Sequence, residues 1–327
     1  MKRQIKKIVK GNRTTDGAGV NLLRVIGHPD VYDFDPFLML DAFNSRDPND
    51  YIKGFPWHPH RGIETVTYLI KGDIEHSDSL GNSGSILDGC CQWMTAGGGI
   101  LHQEMPKPCE RMLGVQLWLN LPAKDKMTDP KYRDITADKV LKIKEENADI
   151  KIISGKYKGN TSAILGDHVE ANFMDVTIKA NSSWRFDTKM GDTVFIYILE
   201  GNGYIYESDT DGNSENKTRQ HVEGLANNTI KPNAERLILN TTSKADFETI
   251  EYISSNPSNE INEKSAVLFT DGDYLEINTG DNPIRFLLLT GAPLHEPIAW
   301  GGPIVMNTRE ELHKAFEDLD NGTFVKM

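Results

Sequence analysis

Two histidines stand two residues apart in Trp57-His58-Pro59-His60-Arg61-Gly62-Ile63-Glu64. On an extended strand residues i and i+2 project from one face, so their imidazoles converge on a single point. Forty-two residues after His60, the run Gly97-Gly98-Gly99-Ile100-Leu101-His102-Gln103-Glu104 repeats that spacing with His102 and Glu104. If the two segments are neighbouring strands of one barrel, His58, His60, His102 and Glu104 enclose one ion. Imidazoles plus a carboxylate with open coordination positions suit a divalent transition metal such as non-haem Fe(II), and argue against a closed thiolate zinc site. Either pair alone says little. Together they put three of the chain's nine histidines in fewer than 50 residues of a β-rich segment, which reads as a metal centre. A fourth, His76, follows the turn at Gly72 and reads as a hydrogen-bonded loop residue more readily than as a neighbour of the ligands.

The elements that must position these residues are short and mostly of period two. Runs at Thr65 to Ile70, Val194 to Leu199 and Arg285 to Thr290, punctuated by Gly-Asp, Asn-Gly, Gly-Asn and Pro-Asn pairs, predict many short strands in sandwiches or barrels. One helix is predicted late in the chain, covering a barrel. Thr308 is its N-cap, Glu311 completes a capping box, and Leu312, Ala315, Phe316 and Leu319 have helical spacing. Both halves contain a strand, Gly turn, strand pattern, which raises a duplicated barrel. The Lys- and Glu-rich stretch from Ala137 to Ala148 lacks a strong apolar face and is read as the boundary between domains 1–136 and 137–327. Residues Ser208 to Asn228, rich in Asp, Asn, Gly and Ser, read as an exposed insertion in the second domain.

Composition narrows the function classes. A chain of 327 residues at about 150 per domain predicts two domains. The balance of 36 Lys+Arg against 48 Asp+Glu, a net charge of −12, repels phosphate backbones and argues against direct nucleic-acid binding. Apolar runs such as Phe286 to Leu289 fall far short of the roughly 20 residues of a bilayer helix. The basic start, MKRQIKKIVKG, lacks the apolar segment of a signal peptide, so a cytoplasmic location is expected. Cys90, Cys91 and Cys109 are too few and too clustered for a disulfide framework and read as reduced core residues.

The run from His58 to Tyr68, followed by Asp78-Ser-Leu-Gly-Asn82, Gln92-Trp-Met-Thr-Ala-Gly97, His102-Gln-Glu-Met-Pro106 and Gln116-Leu-Trp-Leu-Asn-Leu121, closely resembles the pirins. The runs Gly291-Ala-Pro-Leu-His-Glu-Pro297 and Gly302-Pro-Ile-Val-Met-Asn-Thr308 are similar to the pirins' second domain, so the resemblance covers most of the chain. It departs at Gly89-Cys90-Cys91, at Gly98, where an arginine is common, and in the insertion from Ser208; none of these removes a ligand. The resemblance implies an all-β bicupin: two packed cupin barrels (double-stranded β-helix) and a short C-terminal helix. One metal ion per chain, Fe(II), would sit in the first barrel on His58, His60, His102 and Glu104. Glu64 matches the glutamate of the general cupin motif and is read as a buried, hydrogen-bonded group whose parity with His58 and His60 would let it face inward and orient a histidine. His168, His221 and His295 form no second strand pair, so the second barrel is expected to hold no metal.

By the same resemblance the activity would be of the quercetin 2,3-dioxygenase type, on a flavonol and dioxygen. Glu104 would be the catalytic base, and Trp93 with Thr95 to Gly99 would shape the mouth. The alternative implied is an iron-dependent redox sensor or transcriptional co-regulator that binds a protein partner without turnover. A metal-dependent isomerase has only the fold to support it.

Overall fold

The computed structural model describes residues 1–206 and 259–325. The insertion at 208–228 and His221 lie outside the described residues. The strands form two halves of the same plan, each a seven-stranded sheet and a four-stranded sheet. In the first half the large sheet runs Lys131–Ile135, Cys91–Thr95, Ile63–Lys71, Met112–Asn120, Phe37–Ser45, Val20–Ile26 and Asn12–Asp16. Its small sheet runs Phe55–His60, Ile100–Pro106, Ile74–Asp78 and Ser83–Ile86. In the second half the large sheet runs Ile5–Lys10, Ser265–Phe269, Thr193–Glu200, Ile284–Gly291, Ala171–Ile178, Ala148–Ser154 and Leu141–Lys144, and the small sheet Ser183–Asp187, Tyr274–Asn278, Asn202–Tyr204 and Glu260–Asn262. The duplication is therefore a structural fact, and the chain is a bicupin.

The N-terminal strand Ile5–Lys10 belongs to the second half's sheet, where it pairs with Ser265–Phe269. It occupies the edge that Lys131–Ile135 occupies in the first half, so the start of the chain is tied into the second half. The Lys- and Glu-rich stretch after residue 137 is itself ordered. Leu141 and Ile143 alternate with Lys142 and Lys144 on an edge strand, and the two apolar side chains pack on the second barrel's core.

Strand alternation explains where the apolar residues go. On Thr193–Glu200, Phe195, Tyr197 and Leu199 face the first half, whereas Val194, Ile196 and Ile198 fill the second barrel's interior. On Ile63–Lys71, Val66, Tyr68 and Ile70 join that same inter-barrel core, together with Trp93, Phe173 and Leu287. The opposite face of Ile63–Lys71 carries Thr65 and Thr67 into the first barrel. The second barrel is thus filled with apolar side chains, whereas the first keeps an open interior in which polar side chains such as Thr67 and Gln116 stand among apolar ones. The predicted helix is present at Arg309–Asp320: the Thr308 hydroxyl accepts from the Glu311 N–H at 3.1 Å, and Glu311 Oε2 accepts from the Thr308 N–H at 3.0 Å. Its apolar side meets Leu101 on the outer face of the small sheet of the first barrel. Among the described residues, no helix is long and apolar enough to cross a membrane.

One polar node crosses the inter-barrel core. Tyr68 donates to Asp175 Oδ2 at 2.8 Å, and Arg285 donates to both oxygens of Asp175 at 2.8 and 2.7 Å. Burial pushes the Asp175 carboxyl up, but the hydrogen bonds and charge of Arg285, with Lys151, outweigh this and hold it below the ordinary range. A carboxyl so depressed stabilises the fold above the unfolded value near pH 4, and that contribution fades as pH falls through the folded value. Asp175→Asn is expected to cost about 3 kcal/mol at pH 7, because it leaves the Arg285 charge without its partner. The difference from the parent protein should shrink below about pH 4 in denaturant titrations. A pH-independent difference would show that Asp175 is not ionised in the folded protein.

Candidate metal centre

The strand Phe55–His60 pairs antiparallel with Ile100–Pro106, placing His102 directly opposite His58. The ring centroids of His58 and His102 lie 4.3 Å apart, those of His60 and His102 5.0 Å, and those of His58 and His60 4.8 Å. One nitrogen from each of the three rings lies within 4.8 Å of the other two. Glu104 is two residues beyond His102 on the same strand, past a register shift, and stands outside that three-histidine set. Its Oε1 is held 3.0 Å from the Thr67 hydroxyl, which in turn lies 2.6 Å from the Gln116 side-chain oxygen.

The hydrogen bonds decide which ring nitrogens are free. His58 Nδ1 lies 2.9 Å from the Pro56 carbonyl and His60 Nδ1 lies 3.0 Å from the Pro303 carbonyl. A carbonyl only accepts, so each Nδ1 carries the proton and each Nε2 presents a lone pair. Those two Nε2 atoms face each other at 3.1 Å. Two lone pairs at that distance require a cation or a proton between them. Burial, then a charge on His58, pushes His60 down to about 3, and burial with the neighbouring His60 and His58 lowers His102 far below its ordinary value, so His60 and His102 stand as neutral donors. Both nitrogens of the fully buried His102 lack any partner. Buried polar atoms left unpaired are costly, so the donor set fits a transition-metal ion. Burial also raises Glu104, although the His58 charge and the Thr67 hydroxyl oppose this.

The second barrel explains why, among the described residues, ligands cluster in the first barrel. Its strands equivalent to Phe55–His60 and Ile100–Pro106 are Ser183–Asp187 and Tyr274–Asn278. At the i, i+2 positions these carry Trp184 and Phe186, and Leu275 and Ile277, all buried in that barrel's core. Of the other histidines singled out above, His168 Nδ1 lies 3.4 Å from Asp125, and the His295 backbone donates to Asp35.

Three expectations are corrected. Glu64 does not face the histidines: the left-handed turn at Gly62 separates it from their strand, and on Ile63–Lys71 it shares a face with Val66 and Tyr68. There it accepts from the Thr95 hydroxyl at 2.7 Å, with Arg133 3.8 Å away, so it cannot orient a ligand. Trp93 and Thr95 share that inter-barrel face and do not line the mouth. His76 is a strand residue, opposite Glu104, stacked on Tyr132 at 4.4 Å and 4°, with neither ring nitrogen hydrogen-bonded.

Sequence reasoning also missed the C-terminal contribution. The hairpin Ala299–Gly301 and Ile304–Met306 crosses the turn after His60, where Val305 N donates to Arg61 O at 3.1 Å. A Cβ at Gly62 would lie 2.0 Å from the Val305 carbonyl, so only glycine allows this crossing. Buried Lys126 donates to the Gly62 and Val305 carbonyls, each at 2.9 Å, and to Asn120 Oδ1 at 2.7 Å; burial pushes its pKa down to about 8. Arg61 donates to Gly98 O, Asp318 and Phe324 O, fastening the tail beneath the site. The site opens into a cavity of about 1600 Å³, lined among others by His58, His60, Thr67, Glu104, Gln116 and Trp118.

The fold and this centre define a bicupin with a histidine-rich metal-binding type of site in its first barrel and an apolar second barrel. Residues 19–119 match the family model Pirin, and residues 219–325 match that of the pirin C-terminal cupin domain. The chain belongs to the pirin family. It is 37% identical over 327 residues to a pirin-like protein of Caulobacter vibrioides, covering 98% of this chain and 99% of the relative. It is 32% identical over 322 residues to human pirin, covering 98% and 93%. Among solved structures, quercetin 2,3-dioxygenase from Acinetobacter baumannii superposes with a TM-score of 0.77 at 28% identity, covering 99% of each chain.

Proposed function

We propose that this protein is a metal-dependent dioxygenase that cleaves flavonol-like substrates, with Fe(II) held by His58, His60, His102 and Glu104. The observation that carries the reading is the opening of the three-histidine cluster into a large, aromatic-walled cavity. A sensor that only docks a protein needs no such volume beside its metal. The name of the A. baumannii neighbour supports the same chemistry. When bound, the metal supplies Lewis acidity and one-electron chemistry toward dioxygen.

The chain's own residues do the rest. His58 and His60 are held in one tautomer by the Pro56 and Pro303 carbonyls, so their Nε2 lone pairs are ready without rearrangement. Glu104, raised by burial, is the base that accepts the flavonol 3-hydroxyl proton, and Thr67 keeps its carboxylate aimed. Trp118, edge-on to His60 at 5.0 Å and 81°, gives a ring bound beside the metal an apolar wall. The test is anaerobic Fe(II) reconstitution followed by oxygen uptake with quercetin. Uptake that tracks quercetin loss is expected; a metal-loaded protein that consumes no oxygen sinks the reading and favours the protein-binding alternative.

A further inference from the structure

We propose that Trp300 sets ligand size in this cavity, selecting planar polycyclic phenols over single-ring ones. The inference rests on the reading of the cavity as a phenol site and adds to it the residue that discriminates among phenols.

Trp300 comes from the C-terminal hairpin and stands in the wall of the first barrel's cavity. Its ring packs against Trp118 at 5.8 Å and against His28 at 5.3 Å. Trp118 in turn meets His60 at 5.0 Å, so an aromatic wall runs outward from the histidine cluster through Trp118 to Trp300. A ligand whose oxygen reaches the histidines lays its first ring along Trp118. Only a ligand extended by further coplanar rings reaches Trp300.

The ring is also fixed in place. Trp300 Nε1 donates to the Gly302 carbonyl at 2.8 Å, which sets the ring's orientation on its own hairpin. A Cβ at Gly301 would lie 3.1 Å from Leu312 and from Phe316, so the hairpin is seated directly on the helix. The Pro303 carbonyl, three residues along, bonds His60 Nδ1 at 3.0 Å, which fixes the distance from the hairpin to the metal site. A preorganised aromatic wall loses little freedom on binding, so its stacking energy appears in affinity.

The experiment uses full-length, metal-loaded protein without oxygen and compares the affinities for quercetin and for catechol by calorimetry. Trp300→Ala is expected to weaken quercetin about tenfold, the scale of one lost aromatic stack with its buried area, while catechol changes less than about twofold. Trp300→Phe should restore most of the quercetin affinity, which a general loosening of the hairpin would not allow. If the two ligands weaken equally, or if quercetin affinity is unchanged, Trp300 does not select for size and the proposal falls while the phenol site stands. If quercetin fails to bind the parent protein, the functional reading above fails and takes this proposal with it.

Discussion

His102→Ala protein is expected to fold and to lose its metal. Metal analysis should fall from about one ion per chain to near zero, because the change removes the ring that stands opposite His58 and contacts His60. The metal-free variant should match the metal-free parent to within about 1 kcal/mol. A buried imidazole with neither nitrogen paired contributes little or is costly. The inter-barrel core and the second barrel's core contain no part of His102. Adding metal separates the two proteins. At about 100 times its dissociation constant, a ligand that binds only the folded state stabilises it by about 2.7 kcal/mol, and only the parent should show that gain. Full metal occupancy in the variant would refute the ligand assignment without any appeal to activity.

What the sequence made legible followed from local parity. The expected runs at Thr65 to Ile70, Val194 to Leu199 and Arg285 to Thr290 each lie inside a strand, since alternation and turn residues are properties of a few neighbouring positions. His58 and His60 share a strand, and with His102 on the neighbouring strand their rings cluster as the spacing suggested, whereas Glu104, on the same strand as His102, stands outside that cluster. Parity failed where it was carried across a turn. Glu64 is an even number of residues from His60, but the left-handed Gly62 breaks the strand between them, and a new strand in a different sheet has its own facing. Trp93 was misplaced for a related reason: the large sheet packs one face on the inter-barrel core and turns the other toward the cavity, and composition does not reveal which face a tryptophan takes. The roles of Pro303, Trp300 and the N-terminal strand depend on chain crossings between residues hundreds of positions apart. The Pro303 contribution is a backbone carbonyl, to which any residue type would be equivalent, so no motif could have marked it. The segment from Leu141 to Lys144 did carry a period-two signal, but as an edge strand it buries only two apolar side chains and resembles a linker in composition.

Glu104→Gln is expected to keep most of the metal and lose most of the turnover. The amide retains an oxygen donor and roughly the same shape, and the three histidines remain clustered without it, so metal content should fall modestly. It can no longer accept a proton from a bound hydroxyl. Loss of a general base costs about 100-fold or more, which should appear in kcat for oxygen uptake with quercetin. Glu64→Gln is the matched comparison, because it changes the other buried glutamate of this barrel by the same single atom. Glu64 faces Thr95 and Arg133 across the inter-barrel side of the sheet, so its amide should affect stability more than chemistry, leaving metal content and kcat within a few-fold of the parent. The two variants therefore discriminate between the pirin arrangement and the general cupin one, in which the glutamate following the paired histidines is the ligand. If Glu64→Gln empties the site and Glu104→Gln does not, the metal is held from the other face of Ile63–Lys71, which would require that strand to be turned over and would overturn the site geometry described above.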